Sequence, residues 1–461
     1  KVILKKNRDT VQSAFLSSTR KSMTVLVICG LIVIFMGHQA WSEGKPLLDL
    51  QRALDLAAEN NPLLSASLQQ VRQSEERLNQ ARAPLFPTLG VELVYQKVGE
   101  DPLLPVYGTD GSYLGTAQNG FEDTWKTALN FTYLLYSGGA VKHNVQAKEL
   151  ALDAVKAHAE RTRQSVINGV YSAFYGLQRA RAHLIVAEEV LKLAREHLRE
   201  VELFYKNGVV ARNEVLRVKV EVSDSELTRI KAANSVNVAW SALERALGIP
   251  LDMDYSLPEP QASPGTFQIP EDIQDLAVKN RPELSALERS RLSALALSRV
   301  AMSQGGPQVV LQGEACQVGD QFYPDAQDDW KITLAASWKL YDGGESKARS
   351  KEAIAAAEEL LFRIDDLKRQ IDLEISTVML NLRSSEQRMY VAEDQVKSSE
   401  EEYRMALLRY RAQVGTNLDV LDSRVALVNA RNQLVDSIYD VFQSRADLLF
   451  ASGIDSVDVE H

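Results

Sequence analysis

Trp125–Gly139 reads WKTALNFTYLLYSGG, and Trp330–Gly344 reads WKITLAASWKLYDGG. In the first segment Trp125, Thr127, Leu129, Phe131, Tyr133 and Leu135 fall on one face, and Lys126, Ala128, Asn130, Thr132 and Leu134 on the other. The second sets Trp330, Ile332, Leu334, Ala336, Trp338 and Leu340 against Lys331, Thr333, Ala335, Ser337 and Lys339. Period-two alternation predicts a strand with one apolar face. Both strands run into Tyr-x-Gly-Gly, where Ser137 or Asp342 can cap a helix and glycine frees the backbone to turn. No Gly-x-Gly-x-x-Gly or Gly-Lys-Ser/Thr follows, so these glycines mark a turn rather than a phosphate loop.

The duplication extends along the chain. Asp55–Ala66 (DLAAENNPLLSA) recurs as Asp275–Ala286 (DLAVKNRPELSA), offset by 220, and Pro87 and Pro307 keep that offset. From the paired tryptophans onward the offset is 205. Tyr205, Val215-Leu216, Val220 and Gly248 match Tyr410, Val420-Leu421, Val425 and Gly453. One loop is therefore longer in the first copy, the Gly- and Pro-rich stretch around Asp101 to Gly120. Residues 41–249 form the first repeat and 271–453 the second. A linker at 250–270 holds five prolines, and 454–461 is a short acidic tail.

Each copy reads helix, strand, strand, long helix, turn, returning helix. The first helices are expected over Leu48–Arg82 and Asp272–Ser303, the long ones over Val141–Tyr205 and Glu345–Tyr410, and the returning ones over Asn213–Leu247 and Leu418–Ala451. A long helix would extend roughly 95–100 Å, and two short helices end to end would match it. No proline lies between Pro105 and Pro250 or after Pro324, which permits such lengths. On the last helix Leu418, Leu421, Val425, Val428, Asn432, Val435, Tyr439, Phe442, Ala446 and Leu449 follow coiled-coil spacing.

The chain has 461 residues, with 52 basic and 62 acidic side chains and a formal charge of −10. That balance argues against nucleic acid as a partner. Residues 1–40 read as a secretory signal peptide: a basic flank, then the short apolar run Thr24–Gly37 (TVLVICGLIVIFMG). Ile28 and the apolar residues after Cys29 disfavour lipidation of that cysteine. With only Cys29 and Cys316, no disulfide framework or thiolate metal cluster is available.

The remaining strands are expected at Thr88–Lys97 and Val309–Val318, the second weakened by Gly313 and Gln317 on its apolar side. Four alternating strands behind an export signal suit tilted membrane strands. Trp125, Tyr133, Tyr136, Trp330, Trp338 and Tyr341 are placed as membrane-interface aromatics. Four strands cannot close a barrel and open edges are not tolerated in lipid, so several chains must share one barrel. A soluble sheet within a secreted or periplasmic coiled-coil scaffold is the alternative.

The duplicated Asn-x-Pro-x-Leu helix starts, the Tyr-x-Gly-Gly exits, Leu247-Gly248-Ile249-Pro250 and the turn Val414–Asp422 together resemble the TolC family of outer-membrane export channels. The resemblance covers about residues 45–453. It implies a mainly α-helical chain with four strands, a homotrimer with a shared twelve-stranded barrel in outer-membrane lipid, and a helical tunnel through the periplasm. It also implies a periplasmic adaptor and an inner-membrane pump of the RND, ABC or MFS type, in drug efflux or type I secretion. The family's acidic constriction falls on Asp419 and Asp422, whose carboxylates would raise one another's pKa in a trimer, with Glu214 at the equivalent place in the first copy. Its gate tyrosine falls on Tyr410. Asn207, Gly208, Val209, Val414, Gly415 and Thr416 become candidate adaptor-docking tips. The sequence departs from the family at Gly415, where a gate arginine is expected, and at Gln413, which replaces the glycine of the first tip.

No enzyme signature accompanies this pattern: His-Glu-x-x-His, Gly-x-Ser-x-Gly and the P-loop are all missing from the sequence. His183 and His197 lie about 21 Å apart along one helix, too far to share a metal, so neither metal nor cofactor is expected.

Overall fold

The computed structural model describes residues 47–99, 103–118, 122–251, 255–261, 263–265, 267–270, 272–322 and 327–454. The expected signal peptide, Cys29, His38 and nearly all of the acidic tail lie outside these residues. Two units are present. The smaller comprises residues up to Asp49 with Leu251–Pro258; in it Leu47 bridges Ser256 in parallel. The larger carries every helix and named strand described below.

In the first copy, α1 (Leu50–Asn60) and α2 (Pro62–Arg82) are followed by β1 (Thr88–Lys97), β2 (Leu103–Tyr107), β3 (Tyr113–Gln118) and β4 (Asp123–Tyr136), then α3 (Ala140–Lys206) and α4 (Arg212–Leu247). The second copy runs α5 (Ile273–Asn280), α6 (Pro282–Ser303), β5 (Gln308–Gly319), β6 (Gln327–Ser337), α7 (Glu345–Arg411) and α8 (Asn417–Ser452). The first helix of each copy is broken, not continuous as expected. Pro62 and Pro282 sit at the first helical position, which places the preceding Asn61 and Arg281 in extended backbone. The stretch expected to be irregular contains the β2–β3 hairpin, turning through Asp110-Gly111, a dipeptide suited to tight hairpins.

Both breaks serve as joints. Asn61 caps α2 by accepting from the Leu63 amide at 2.8 Å, and its Nδ2 donates to the Ala246 carbonyl at 2.8 Å. The end of α4 is thereby seated on the start of α2. Gly248 makes the seat possible: it has φ +81°, and a Cβ there would lie 2.6 Å from the Asn60 carbonyl oxygen. In the second copy Arg281 does the same work with a charge. It is buried, donates through Nε to the Ala451 carbonyl at 2.7 Å, and pairs with Glu374 on α7 at 2.7 Å.

The core follows heptads. Ile364, Ile371, Ile375, Leu382 and Met389 of α7 pack with Ile438, Val441 and Leu448 of α8 and Ile273, Ala277 and Leu284 of α5 and α6. The buried face of α8 passes through Val420, Leu427, Val441 and Leu448 and takes in Leu421, Tyr439 and Ala446 of the expected seam, whose Leu418 and Val425 are half exposed. Spacing alone fits either stripe; the neighbouring helix selects one.

The sheet is antiparallel throughout, in the order β1-β4-β5-β6. Leu89, Val91, Leu93, Leu129, Trp330, Ile332 and Leu334 stand exposed on one face, Val91 at 77%. On the other, Glu314 accepts from Lys126 at 2.5 Å and Lys331 at 2.6 Å, and Asn130 donates to Glu92 at 3.3 Å. β6 ends at Ser337, so Trp338 and Tyr341 lie past the strand on which they were expected; the Trp338 indole donates to the Gly305 carbonyl at 3.1 Å. Gly248→Ala is expected to destabilise the α4–α2 joint by about 1–3 kcal/mol, through the left-handed backbone and the contact with Asn60. Thermal unfolding followed by helical circular dichroism checks this; an unchanged midpoint would mean the joint yields without strain.

Candidate functional site

The tips lie at two turns, between α3 and α4 and between α7 and α8. They share one hydrogen-bond pattern. Gly208 N donates to Tyr205 O and Val209 N to Phe204 O; Gln413 N donates to Tyr410 O and Val414 N to Arg409 O, all at 2.9–3.0 Å. Gln413 occupies the glycine conformation, φ +59°, alone among described non-glycine residues. At Gly415 a Cβ would sit 3.0 Å from the Arg409 Cβ and 3.3 Å from the Arg409 carbonyl carbon. An arginine at 415 would therefore crowd this turn, which accounts for the departure seen in the sequence.

Glu214 and Asp419 are equivalent in the repeat but do different things. Thr416 caps α8: its hydroxyl accepts from the Asp419 amide at 3.1 Å, and the Asp419 carboxylate accepts from the Thr416 amide at 2.9 Å. That backbone hydrogen bond holds the Asp419 carboxyl of the single chain below the usual aspartate range. The cap's electrostatic part is thus complete above the ordinary aspartate range and fades only as pH falls through the lowered value. Asp422 is exposed on the same helix. In the first copy Ala211 occupies the N-cap and has no hydroxyl, so Glu214 is not drawn into a capping box. Its carboxylate accepts from the Tyr410 hydroxyl at 3.4 Å instead. Tyr410 is buried, with His197 at 5.4 Å and Phe204 at 5.8 Å between ring centroids. Burial, then the Glu214 charge, pushes its phenol up to about 12. Two of the four expected gate residues are thus brought together, Tyr410 and Glu214, while Asp419 is engaged within its own turn.

The outer membrane efflux protein family matches residues 53–249 and 273–454. The chain belongs to this family. It is 23% identical over 455 residues to the alkaline protease secretion protein AprF of Pseudomonas aeruginosa, covering 96% of this chain and 90% of that protein. Its fold is shared with VceC of Vibrio cholerae (TM-score 0.72, 22% identity, 88% and 96% coverage) and with the open state of MtrE of Neisseria gonorrhoeae (TM-score 0.74, 19% identity, 88% and 89% coverage). As an outer membrane efflux protein it is a non-catalytic export channel of the outer membrane that extends into the periplasm. Among the described residues no group of three or more His, Cys, Asp or Glu side chains could hold a metal.

Three ties between the tip hairpins of this family member were not foreseen. Arg424 of α8 is 1% exposed and sits 2.5 Å from Glu221 of α4. Arg411 of α7 pairs with Glu200 of α3 at 2.7 Å. His197, buried on α3, contacts the Asn417 amide oxygen at 2.8 Å, and burial lowers its pKa. The available signal was a charge inside a heptad stripe, Arg424 between Val420 and Leu427. Glu221→Gln should leave a buried guanidinium without its counter-charge and cost roughly 2–3 kcal/mol, less than for a fully buried pair because Glu221 is partly exposed. Adding Arg424→Met should restore most of that loss. Denaturation of the four proteins in this cycle measures the coupling, and strictly additive losses would remove the pair from the account.

Proposed function

We propose that three copies of this chain close a twelve-stranded barrel and form a passive duct. It would carry cargo from an inner-membrane pump of the RND, ABC or MFS type, through a periplasmic adaptor, across the outer membrane. The observation that carries this reading is the sheet: both edge strands, β1 and β6, are unpaired on their outer sides, and one face is apolar and exposed. Open edges cannot stay unpaired in lipid, and pairing β6 of one copy with β1 of the next satisfies them. The face bearing Glu92, Lys126, Asn130, Glu314 and Lys331 would then line the lumen. Exposed apolar residues on α7 (Phe362, Leu373, Leu380, Tyr390) and on α4 (Leu216, Val220, Leu227, Ile230) supply matching surfaces for neighbouring copies. A soluble scaffold would instead cover Val91, Trp330 and Ile332 with its own helices, and here they are exposed.

In this reading residues 1–40 are the export signal and the two repeats each contribute two strands to the barrel. Trp125, Tyr133, Tyr136, Trp330, Trp338 and Tyr341 meet the membrane interfaces. Asp419 and Asp422, with Tyr410 and Glu214, form the periplasmic constriction; Asn207, Gly208, Val209, Val414, Gly415 and Thr416 meet the adaptor. Likeness to AprF, an alkaline protease secretion protein, supports protein as one form of the cargo. Detergent-purified protein is expected to have the mass of a trimer and to give small, cation-preferring currents in a planar bilayer. Asp419→Asn with Asp422→Asn should abolish block of that current by multivalent cations; unchanged block would sink the gate assignment. Cys316 provides a test of the wall. Its register opposite Ala128 and Asp329 puts it on the polar face. A charged methanethiosulfonate reagent should reduce conductance in the parent protein and leave Cys316→Ser unaffected. No change in the parent would reverse the faces of the sheet.

A further inference from the structure

The seam between the two hairpins combines apolar packing, with Val201, Val215 and Val218 in one cluster with Tyr403, Val420 and Leu427, and a ladder of polar ties, most of them arginine–carboxylate pairs. Arg179 of α3 pairs with Asp440 of α8, which also receives Arg388 of α7 at 3.2 Å. Arg431 of α8 reaches Glu189 of α3 at 2.6 Å and Glu400 of α7 at 2.8 Å. Arg179 also reaches Asp436 of α8 at 3.8 Å, and Arg411–Glu200 and Arg424–Glu221 belong to the same set. Arginine–carboxylate pairs keep their charges across any periplasmic pH. His197 is buried and uncharged-favouring, so it does not alter the ladder near neutrality.

His183 differs from all of these. It lies on α3, half-buried, and both ring nitrogens face oxygens of α8: Nδ1 is 3.0 Å from Asn432 Oδ1, and Nε2 is 3.0 Å from Asp436 Oδ1. Two oxygen acceptors are both satisfied only by an imidazolium, which donates from both nitrogens. A neutral ring protonated at Nε2 still donates to the Asp436 carboxylate, but the ion pair is lost, and Nδ1 then faces the Asn432 oxygen without a proton unless that amide turns over. The ring borders a groove of about 500 Å³ between α3, α4 and α8, so protons reach it from solvent.

We propose that His183 is a proton-operated latch: its imidazolium ties α3 to Asn432 and Asp436 of α8, and its neutral form weakens that tie as periplasmic pH rises, leaving Arg179 as the remaining hold on Asp436. The charges facing it are Asp436, Asp440 and Arg424 on α8, Arg179 on its own helix, Arg388 on α7 behind Asp440, and Glu221, Asp224 and Lys231 of α4 across the groove. The hydrogen bond to Asp436 raises the His183 pKa, outweighing burial and the nearby Arg179. A histidine with a raised pKa contributes stability in full below its ordinary value near 6.5 and loses it as pH climbs through the higher folded value. The latch is thus engaged in acid and loosens above pH 6.5.

The latch stands on this chain's own contacts, and its consequence for transport rests on the duct reading. Amide hydrogen exchange on the full-length protein in detergent, between pH 6 and 9 and corrected for intrinsic exchange, tests it on peptides covering 179–190 and 428–440. Protection there should fall roughly fivefold as pH rises, the worth of one partly exposed ion pair. His183→Gln should abolish the pH step. Asp436→Asn should move it to lower pH, which also serves if the glutamine variant fails to assemble. Identical pH curves for the parent and a folded variant would overturn the latch. Exchange does not depend on conduction: a pH step in protection from a protein that passes no current would uphold the latch and count against the duct.

Discussion

Backbone hydrogen bonding at the edges of a four-stranded sheet is the constraint on which the rest of this protein depends. β4 and β5, from different copies of the repeat, pair with each other at the centre of the sheet, leaving β1 and β6 outside. An edge strand in water is solvated, but an edge strand in hydrocarbon is not. The exposed apolar face suits hydrocarbon, and in the proposed duct pairing with neighbouring copies satisfies both edges. The helices then follow: long α3 and α7 descend from the strands through the Gly138-Gly139 and Gly343-Gly344 turns, and the short helices stack beside them at the Asn61 and Arg281 joints.

Duplication supplies the frame, and divergence between copies supplies its asymmetry. The Asn61 joint is neutral, whereas the Arg281 joint buries a guanidinium against Glu374. A single change at the N-cap, Ala211 against Thr416, decides whether the acid three residues on is held in its own helix or released to a partner. Tyr205 is largely exposed, while its counterpart Tyr410 is buried against the other hairpin. Ties between hairpins thus use residues that the repeat would present identically, had the copies not drifted apart.

The ties also share a physical character. They are polar or charged groups placed in an otherwise apolar seam, where each is stronger than in water but carries a desolvation penalty. Such contacts stand beside apolar packing that also crosses between the hairpins, with Val201 and Val218 in one cluster with Tyr403 and Val420. Apolar packing also runs within each hairpin, along Ile364, Ile371 and Leu382 for example.

Local periodicity was legible in the sequence. The alternation in Trp125–Tyr136 and the twofold writing of the chain placed the long and returning helices and the four sheet strands to within a few residues, because each depends on neighbours in the chain; the helix breaks before Pro62 and Pro282 and the β2–β3 hairpin were not read. The candidate gate residues were legible only through position in the repeat. Tertiary structure decided what depends on partners distant in sequence. It selected the Val420–Leu427–Leu448 stripe of α8 over the equally spaced one through Leu418 and Val425. It paired β4 with β5, brought Tyr410 to Glu214 and Arg424 to Glu221, and set Gly415 close against Arg409. A period states that a face exists; only the packing of one helix against another states what that face meets.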